Sequence, residues 1–445
     1  MLIKFTAENF LSFYEETEFN MLTGEVRRLP DHVYSLPKVD ILKSAVIYGA
    51  NGAGKSNLII AIDALRTVVT EGCLDFLTSE TCFRMKDTLS KPSKLEIEFI
   101  VDEVGYAYGL CFFENRITEE WLYVLNYGKK NDELVFERAL VKGKESIKMS
   151  PKYSKNQKDR LLIQVYEEDL LEEDVPFLFM VKDKKFTEIS NAFKWFNQGM
   201  QIVFPRMQYS GLVYSFINDK KFKAFTNHMI AQLSTGIQEI DILSIDFDQF
   251  FGEDNLSEKE RVLKIIRSGE QERVGDSREA IALMEDGKPV VKKAVSYHNN
   301  DKGEKVRFEL SEESDGTRRL IDFIPLLYML DYYPVTIIID EIDQSLHPAL
   351  LKEFVSFVQN NKAKKGQLII TTHESNLLDL DLFRQDEIWF AEKNEMGASH
   401  FYPLSDYNVR PDLDIRKGYL SGRFGAIPFL ASLKDLNWEE HVQEH

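Results

Sequence analysis

Three cysteines in 445 residues, Cys73, Cys82 and Cys111, are odd in number and lack close metal-ligand spacing, which argues against a disulfide framework and a zinc site. A reducing cytoplasm is the expected setting. Long apolar runs are equally scarce. The nearest to membrane-spanning length, Ile321 to Ile339, contains Asp322, Asp331, Pro325 and Pro334, so it predicts an amphipathic helix, a break and a buried strand. The opening Met1-Leu-Ile-Lys-Phe lacks the basic-then-apolar layout of a secretory signal. No tandem repeat or low-complexity tract occurs, and no apolar heptad is sustained, which excludes a long coiled-coil arm. Positive charge is short as well. A formal net charge of -18 disfavours broad wrapping of duplex nucleic acid, because phosphate binding draws its affinity from Lys and Arg displacing counterions. A local basic groove stays compatible with that balance.

What is present is an ordinary globular composition, 44% hydrophobic and 29% charged, on a chain long enough for two or three domains' worth of core. Leu2 to Phe19 alternates apolar and polar positions and predicts strand, turn, strand. Ile41 to Tyr48 predicts a short buried strand running into a glycine-rich turn, with a helix from Asn57 to Val69 after it. From Leu95 to about Met149, β-like runs are separated by turn signals at Asp102 to Gly105, Asn126 to Gly128 and Lys142-Gly143, which predicts a small antiparallel sheet. Between Ser150 and Ser268 the period becomes helical, with Phe222, Phe225, Met229, Ile230 and Leu233 at three- and four-residue spacing and a capping-box start at Ser257 with Glu260. Glu279 to Leu310 returns to strand pattern. The expected organisation is a lobe over 1–149, a helical insertion over 150–270 and a second lobe over 271–445. The acidic run Glu167 to Asp174 is expected to be a solvated helix face.

Gly49-Ala-Asn-Gly-Ala-Gly54-Lys55-Ser56 is a full phosphate-loop match between a strand and a helix. Its glycines let backbone N–H groups turn inward around phosphates, Lys55 reaches the β/γ oxygens and Ser56 can ligate Mg²⁺. Asn51, Gly52, Gly54, Lys55, Ser56 and Asn57 are therefore the candidate nucleotide-binding residues. Thr336-Ile-Ile-Ile-Asp340-Glu341 predicts a buried strand ending in two carboxylates, Asp340 for the Mg²⁺ shell and Glu341 to orient or deprotonate the attacking water. Gln367 to His373 is another apolar strand, ending in a histidine positioned to sense the γ-phosphate. Leu310-Ser-Glu-Glu-Ser314-Asp-Gly316-Thr317-Arg-Arg319 precedes the acidic strand, where an ABC ATPase carries its signature. Ser314, Gly316 and Thr317 would bind the γ-phosphate of a nucleotide held by another copy, which demands a dimer. A plain helix cap is the competing reading, since capping and phosphate binding use the same exposed amides. His347 is placed between a supporting role near Glu341 and simple packing before Pro348. Asp246-Phe-Asp248 only superficially resembles the paired acids of a Toprim nuclease.

With these motifs in hand, the chain resembles the AAA15 family of ABC-type ATPases, relatives of the overcoming-lysogenization-defect ATPases. The residues responsible are Asn9 to Phe13, Gly49 to Asn57, Glu313 to Arg318, Asp340 to Pro348, Thr371 to Glu374, Leu382 to Phe390 and Tyr419 to Pro428; the middle of the chain matches poorly. The resemblance implies an α/β, Rad50- or SMC-like P-loop ATPase head with an antiparallel subdomain, using ATP and Mg²⁺. It implies a homodimer or higher oligomer joined through the ATP sites, and a bacterial anti-phage role beside a separate effector, such as a Toprim-type or other nuclease, with a phage-encoded trigger. Compact size makes the chain look most like the ATPase half of a two-gene system such as PARIS, the phage anti-restriction-induced system. It also suggests the Asn9 to Phe13 loop as the adenine contact. Glu312, Glu313 and Asp315 depart from transporter-type ABC proteins, which usually carry glycines there, and three acids near the phosphates of the other copy would suit slow hydrolysis. A repair or chromosome-maintenance ATPase is the alternative, and a transporter's nucleotide-binding subunit would need a membrane partner.

Overall fold

The computed structural model of the protein describes residues 1–427 apart from 129, 130, 142, 143, 156, 184, 185, 208–210, 234, 254, 276–278, 408, 411 and 412. The turn expected at Lys142-Gly143 and the final Pro428 of the family-like stretch lie outside the described residues.

Two large sheets enclose one helix. The first is a seven-stranded antiparallel sheet in the order Lys144–Met149, Glu133–Val141, Arg116–Val124, Val104–Phe113, Ser93–Val101, Leu2–Glu8, Thr17–Asn20. Its strands alternate as the sequence predicts: in Ser93–Val101, Leu95, Ile97 and Phe99 face the core while Lys94, Glu96 and Glu98 face outward. The second sheet has six strands in the order Met200–Val203, Thr336–Ile339, Gln367–Thr371, Ser44–Gly49, Ile388–Lys393, Ser399–Pro403, all parallel except the last pair. Both of its faces are covered, which explains the unbroken apolar runs. Ile338, Ile369 and Ile47 pack towards the antiparallel sheet and the helix Lys55–Glu71. Ile337, Ile339, Leu368, Ile370 and Val46 pack on the opposite side, against the helices Asp315–Tyr332 and Pro348–Asn360.

Gln367 joins the two sheets. Its fully buried amide donates to Leu2 O (3.0 Å) and Leu42 O (2.9 Å), and its oxygen accepts from Leu2 N (2.8 Å) and the Thr336 hydroxyl (3.1 Å). All four hydrogen-bonding positions of the amide are used, which is the condition for burying such a group.

The strand expected over Ile41 to Tyr48 is divided at Lys43 into Asp40–Leu42, which pairs with Val33–Ser35, and Ser44–Gly49. The segment expected as one helical insertion is divided more deeply. Its helix Thr187–Gln198 packs on the antiparallel sheet, with Trp195 stacked on Phe99 at 4.2 Å. The next four residues, Met200–Val203, then enter the parallel sheet beside Thr336–Ile339. A four-residue strand is too short to show a period against helical surroundings. Beyond it, Leu212–Asn218 and Lys220–Gln232 pack on the second core through Phe216, Phe222, Met229 and Ile230. A third, five-stranded antiparallel sheet is built around Lys288–Asn299, which pairs with Glu239–Asp246, Ala280–Glu285 and Lys305–Glu309. Between the strands of that sheet the helix Leu256–Arg267 starts from Asn255, with no side-chain cap, rather than from Ser257, so the Ser257–Glu260 box is not used; neighbouring polar residues offer nearly equivalent starts. Among the described residues no helix is long and apolar enough to cross a membrane.

Because Gln367 leaves no partner free, Gln367→Leu keeps the volume but strands buried groups of Leu2 and Leu42. It is expected to lower the unfolding free energy by on the order of 3 kcal/mol, measured by urea denaturation; an unchanged midpoint would show that the two sheets hold together without this amide.

Candidate functional site

Parallel pairing sets the site. Register partners Ile338 with Ile369, and Ile370 with Val46, align three strand ends so that Gly49, Asp340 and Thr371 finish on one edge. The phosphate loop leaves Gly49 and turns through Gly52 (φ +77°) and Gly54 (φ +107°) into the helix Lys55–Glu71. A Cβ on Gly54 would lie 2.1 Å from the Ser399 hydroxyl oxygen, so both backbone angle and space require glycine. The Ser399 hydroxyl braces the loop by bonding to Ala53 O (2.7 Å) and Ser12 Oγ (2.7 Å), and Asn57 Nδ2 donates to the same Ser12 oxygen (2.8 Å). The helix N-terminus and the loop amides present positive potential to an anion.

Lys55 is buried, and its ammonium donates to Gly49 O (2.8 Å) and Ala50 O (3.3 Å). Burial pushes its pKa below the ordinary lysine value, against the opposing pull of Asp340, Glu341 and Asp343. Asp340 is 2% exposed and accepts from the Thr371 hydroxyl at 2.5 Å, while the same hydroxyl accepts from Glu341 N at 2.7 Å. Thr371 thus orients the Asp340 carboxylate and fixes the backbone of Glu341. Glu341 sits at φ +49°, a left-handed conformation that costs a non-glycine residue and marks a backbone held by its surroundings. Asp343 accepts from the Thr372 hydroxyl (2.7 Å) and from His373 N (3.2 Å), fixing the histidine's backbone to the acidic loop. Desolvation, then the Lys55 charge, holds the pKa of His373 below the usual histidine value and favours neutral imidazole at the rim.

Ser314, Gly316 and Thr317 begin the helix Asp315–Tyr332. Ser314 Oγ caps it, accepting from Thr317 N (3.1 Å) and sharing a bond with the Thr317 hydroxyl (2.9 Å). The helix cap therefore exists, and Ser314 and Asp315 remain exposed. A Cβ on Gly316 would stand 2.9 Å from Ser345 O, so glycine lets the signature turn lie against the loop that follows Asp340 and Glu341. Of the acids beside Ser314, Glu312 accepts from Glu309 N (2.7 Å), Glu313 is tied to Ser296 and His298, and Asp315 pairs with Arg318. All three acids expected near a foreign phosphate thus have partners within their own chain.

Other expectations change. Asn9 is not available to a base: its amide donates to Thr88 O, Lys91 O and Pro92 O, and Phe10 and Phe13 are buried. Only Leu11 and Ser12 of that loop line a cavity of about 250 Å³ beside Asn57, Phe83 and Lys393. A second cavity, about 490 Å³, lies on the other side of the phosphate loop between Asn51, Gly52, Glu392 and Ile427. His347 is an exposed N-cap that accepts from Ala349 N. Asp246 caps Phe247–Phe251, and Asp248 pairs with Lys259. Sequence reasoning missed Thr371, Asp343 and Ser399 as supports. It also missed the strand Met200–Val203, whose last carbonyl accepts from Asp340 N (2.9 Å), so that the chain from Phe204 leaves beside the acids.

The donor set suits Mg²⁺: a Ser56 hydroxyl and a buried Asp340 carboxylate are hard oxygen ligands, few in number, as expected for an ion shared with substrate phosphates. Among the described residues no group of three or more His, Cys, Asp or Glu could hold a metal by itself.

Gly54→Ala forces a side chain into positive φ and onto Ser399, and is expected to destabilise the fold by on the order of 2 kcal/mol. Thermal and urea unfolding would measure it, and a variant as stable as the parent would contradict the requirement for glycine.

Phosphate loop, acidic strand and histidine strand on one parallel sheet, with an antiparallel sheet beside it, are the layout of an ABC-type P-loop ATPase head. Solved structures similar to this chain include the SMC head domain from Thermotoga maritima (15% identity, 90% of this chain and 98% of that chain, TM-score 0.39). Others are an SmcHead bound to the C-winged helix domain of ScpA (13%, 90% and 97%, 0.43) and an Smc head domain with an extended coiled coil bound to the C-terminal domain of ScpA derived from Pyrococcus furiosus (15%, 95% and 98%, 0.40). These likenesses are too loose to carry any residue's role across. No curated protein sequence matches the chain. A family profile does match residues 44–379, from the strand before the phosphate loop to beyond the histidine strand, and the chain belongs to that family, AAA_21, described as "AAA domain, putative AbiEii toxin, Type IV TA system".

Proposed function

We propose that the protein is an ATP-hydrolysing switch, two copies of which close around ATP and control a separate effector in bacterial anti-phage defence. The observation that carries the chemistry is the shared strand edge: parallel register gathers Lys55, Asp340, Glu341 and His373, while Ser314 stays exposed on the surface. Loop amides of Asn51 to Ser56 and the Lys55 ammonium would bind the phosphates, and Asn57 holds Ser12 beside them. Mg²⁺ held by Ser56 and Asp340 would supply neutralisation of the β/γ oxygens. Glu341, its backbone held by Thr371, would orient a water and accept its proton, and neutral His373 would donate a hydrogen bond to the γ-phosphate. Ser314, Gly316 and Thr317 would meet that phosphate from a second copy of the chain.

The defence role rests on two supports: the resemblance of the motif-bearing segments to anti-phage ATPases, and a family description that names a toxin and a toxin–antitoxin system. Within that role the chain would be the ATPase component of a two-gene system of the PARIS kind, with a nuclease as effector and a phage protein as trigger.

Lys55→Ala is expected to abolish nucleotide binding. Glu341→Gln should still bind ATP but lose roughly 10²- to 10⁴-fold in turnover and accumulate as an ATP-bound dimer, read by phosphate release and by light scattering; equal turnover would remove Glu341 from its role. A tagged Glu341→Gln protein recovered from its host with ATP and Mg²⁺ is expected to bring a nuclease or other toxic protein in stoichiometric amount. Repair proteins or DNA in its place would point to genome maintenance.

A further inference from the structure

The signature turn is anchored from behind. Glu313, immediately before Ser314, accepts a hydrogen bond from the Ser296 hydroxyl at 2.6 Å and lies 2.7 Å from His298 Nε2. Ser296 is fully buried, the Glu313 side chain is 9% exposed and that of His298 25%. The imidazole is itself packed edge-on against Phe308, ring centroids 4.9 Å apart. Ser296 and His298 lie on Lys288–Asn299, the strand that organises the third sheet, so the turn is tied to the lobe of residues 239–309 and not merely to its own helix. The neighbouring acids are handled differently: Glu312 is spent on a backbone amide, and Asp315 is an exposed partner of Arg318.

A carboxylate one residue from Ser314 matters because like charges brought within a few ångströms repel strongly in a partly dry site. Released from its two partners, Glu313 would be free to swing towards the same phosphate that Ser314 is to meet. We infer that Ser296 and His298 are positioning residues for the Glu313 carboxylate: their grip keeps its charge out of the shared phosphate site. The inference rests on the shared-site reading given above.

The test compares variants in the full-length Glu341→Gln protein, with ATP and Mg²⁺ as ligand. ATP-dependent association would be followed by analytical ultracentrifugation, and nucleotide affinity of the dilute protomer by a fluorescent ATP analogue. Ser296→Ala combined with His298→Ala is expected to weaken association about tenfold or more, leaving protomer affinity unchanged because the protomer's own phosphate loop is intact. Adding Glu313→Gln to that pair removes the loose charge and is expected to restore association to near the parent level. Simple damage to the fold would not be repaired by a third substitution. Association of the double variant equal to the parent, or no recovery in the triple variant, overturns the inference while leaving the shared site standing. Absence of ATP-dependent association in the Glu341→Gln parent overturns the shared-site reading and this inference together.

Discussion

Parallel pairing of Ser44–Gly49, Gln367–Thr371 and Thr336–Ile339 is the constraint on which the remaining structure depends. Each strand leads into its functional residues only at its C-terminal end, and only common register brings those ends level. A shift of one residue would invert every side chain of a strand between the two cores and withdraw its functional end from the edge. The alternation of Ile337, Ile338 and Ile339 between opposite cores is what resists such a shift, since either face would then bury the wrong volume. The apolar runs in these strands are therefore part of the site's geometry as well as of its stability.

Polar ties complete what burial begins. At the end of the sheet away from the site, the Gln367 amide pins the antiparallel sheet through Leu2. Beneath the neighbouring strand starts, the buried Glu387 carboxylate accepts from the Ser44 hydroxyl and meets His32 Nδ1. At the functional end, Thr371 spans Asp340 and Glu341, and Asp343 holds Thr372 and His373. These hydrogen bonds lie where an unpaired polar atom would be costly, so they hold the Asp340 and Asp343 carboxylates and the backbone of Glu341 and His373 in place. The left-handed Glu341 is tolerable because both its amide and its neighbours are so held.

The signature turn differs from the rest of the site in lying at the surface, with Ser314 and Asp315 exposed. Its cap satisfies the helix start internally, yet Ser314 remains exposed, and its least exposed acid, Glu313, is secured by the strand Lys288–Asn299. Under the proposed closure of two copies, a turn held in this way would make chemistry conditional on assembly.

Contiguity decided what was legible in the amino-acid sequence. The phosphate loop, the strand ending in Asp340 and Glu341, the strand ending before His373 and the Ser314 cap are each carried by adjacent residues whose local geometry follows from glycine placement, apolar runs and capping chemistry; the sequence by itself determined them, along with the α/β class and the antiparallel side sheet. Tertiary structure alone decided that Met200–Val203 joins the parallel sheet, that Asn9 turns inward to three carbonyls, that Thr371 serves both acids, and that Glu313 answers to Ser296 and His298. Those outcomes depend on partners distant along the chain or on short strands without a period, and local propensity is silent about which distant group will satisfy a polar side chain once water is excluded.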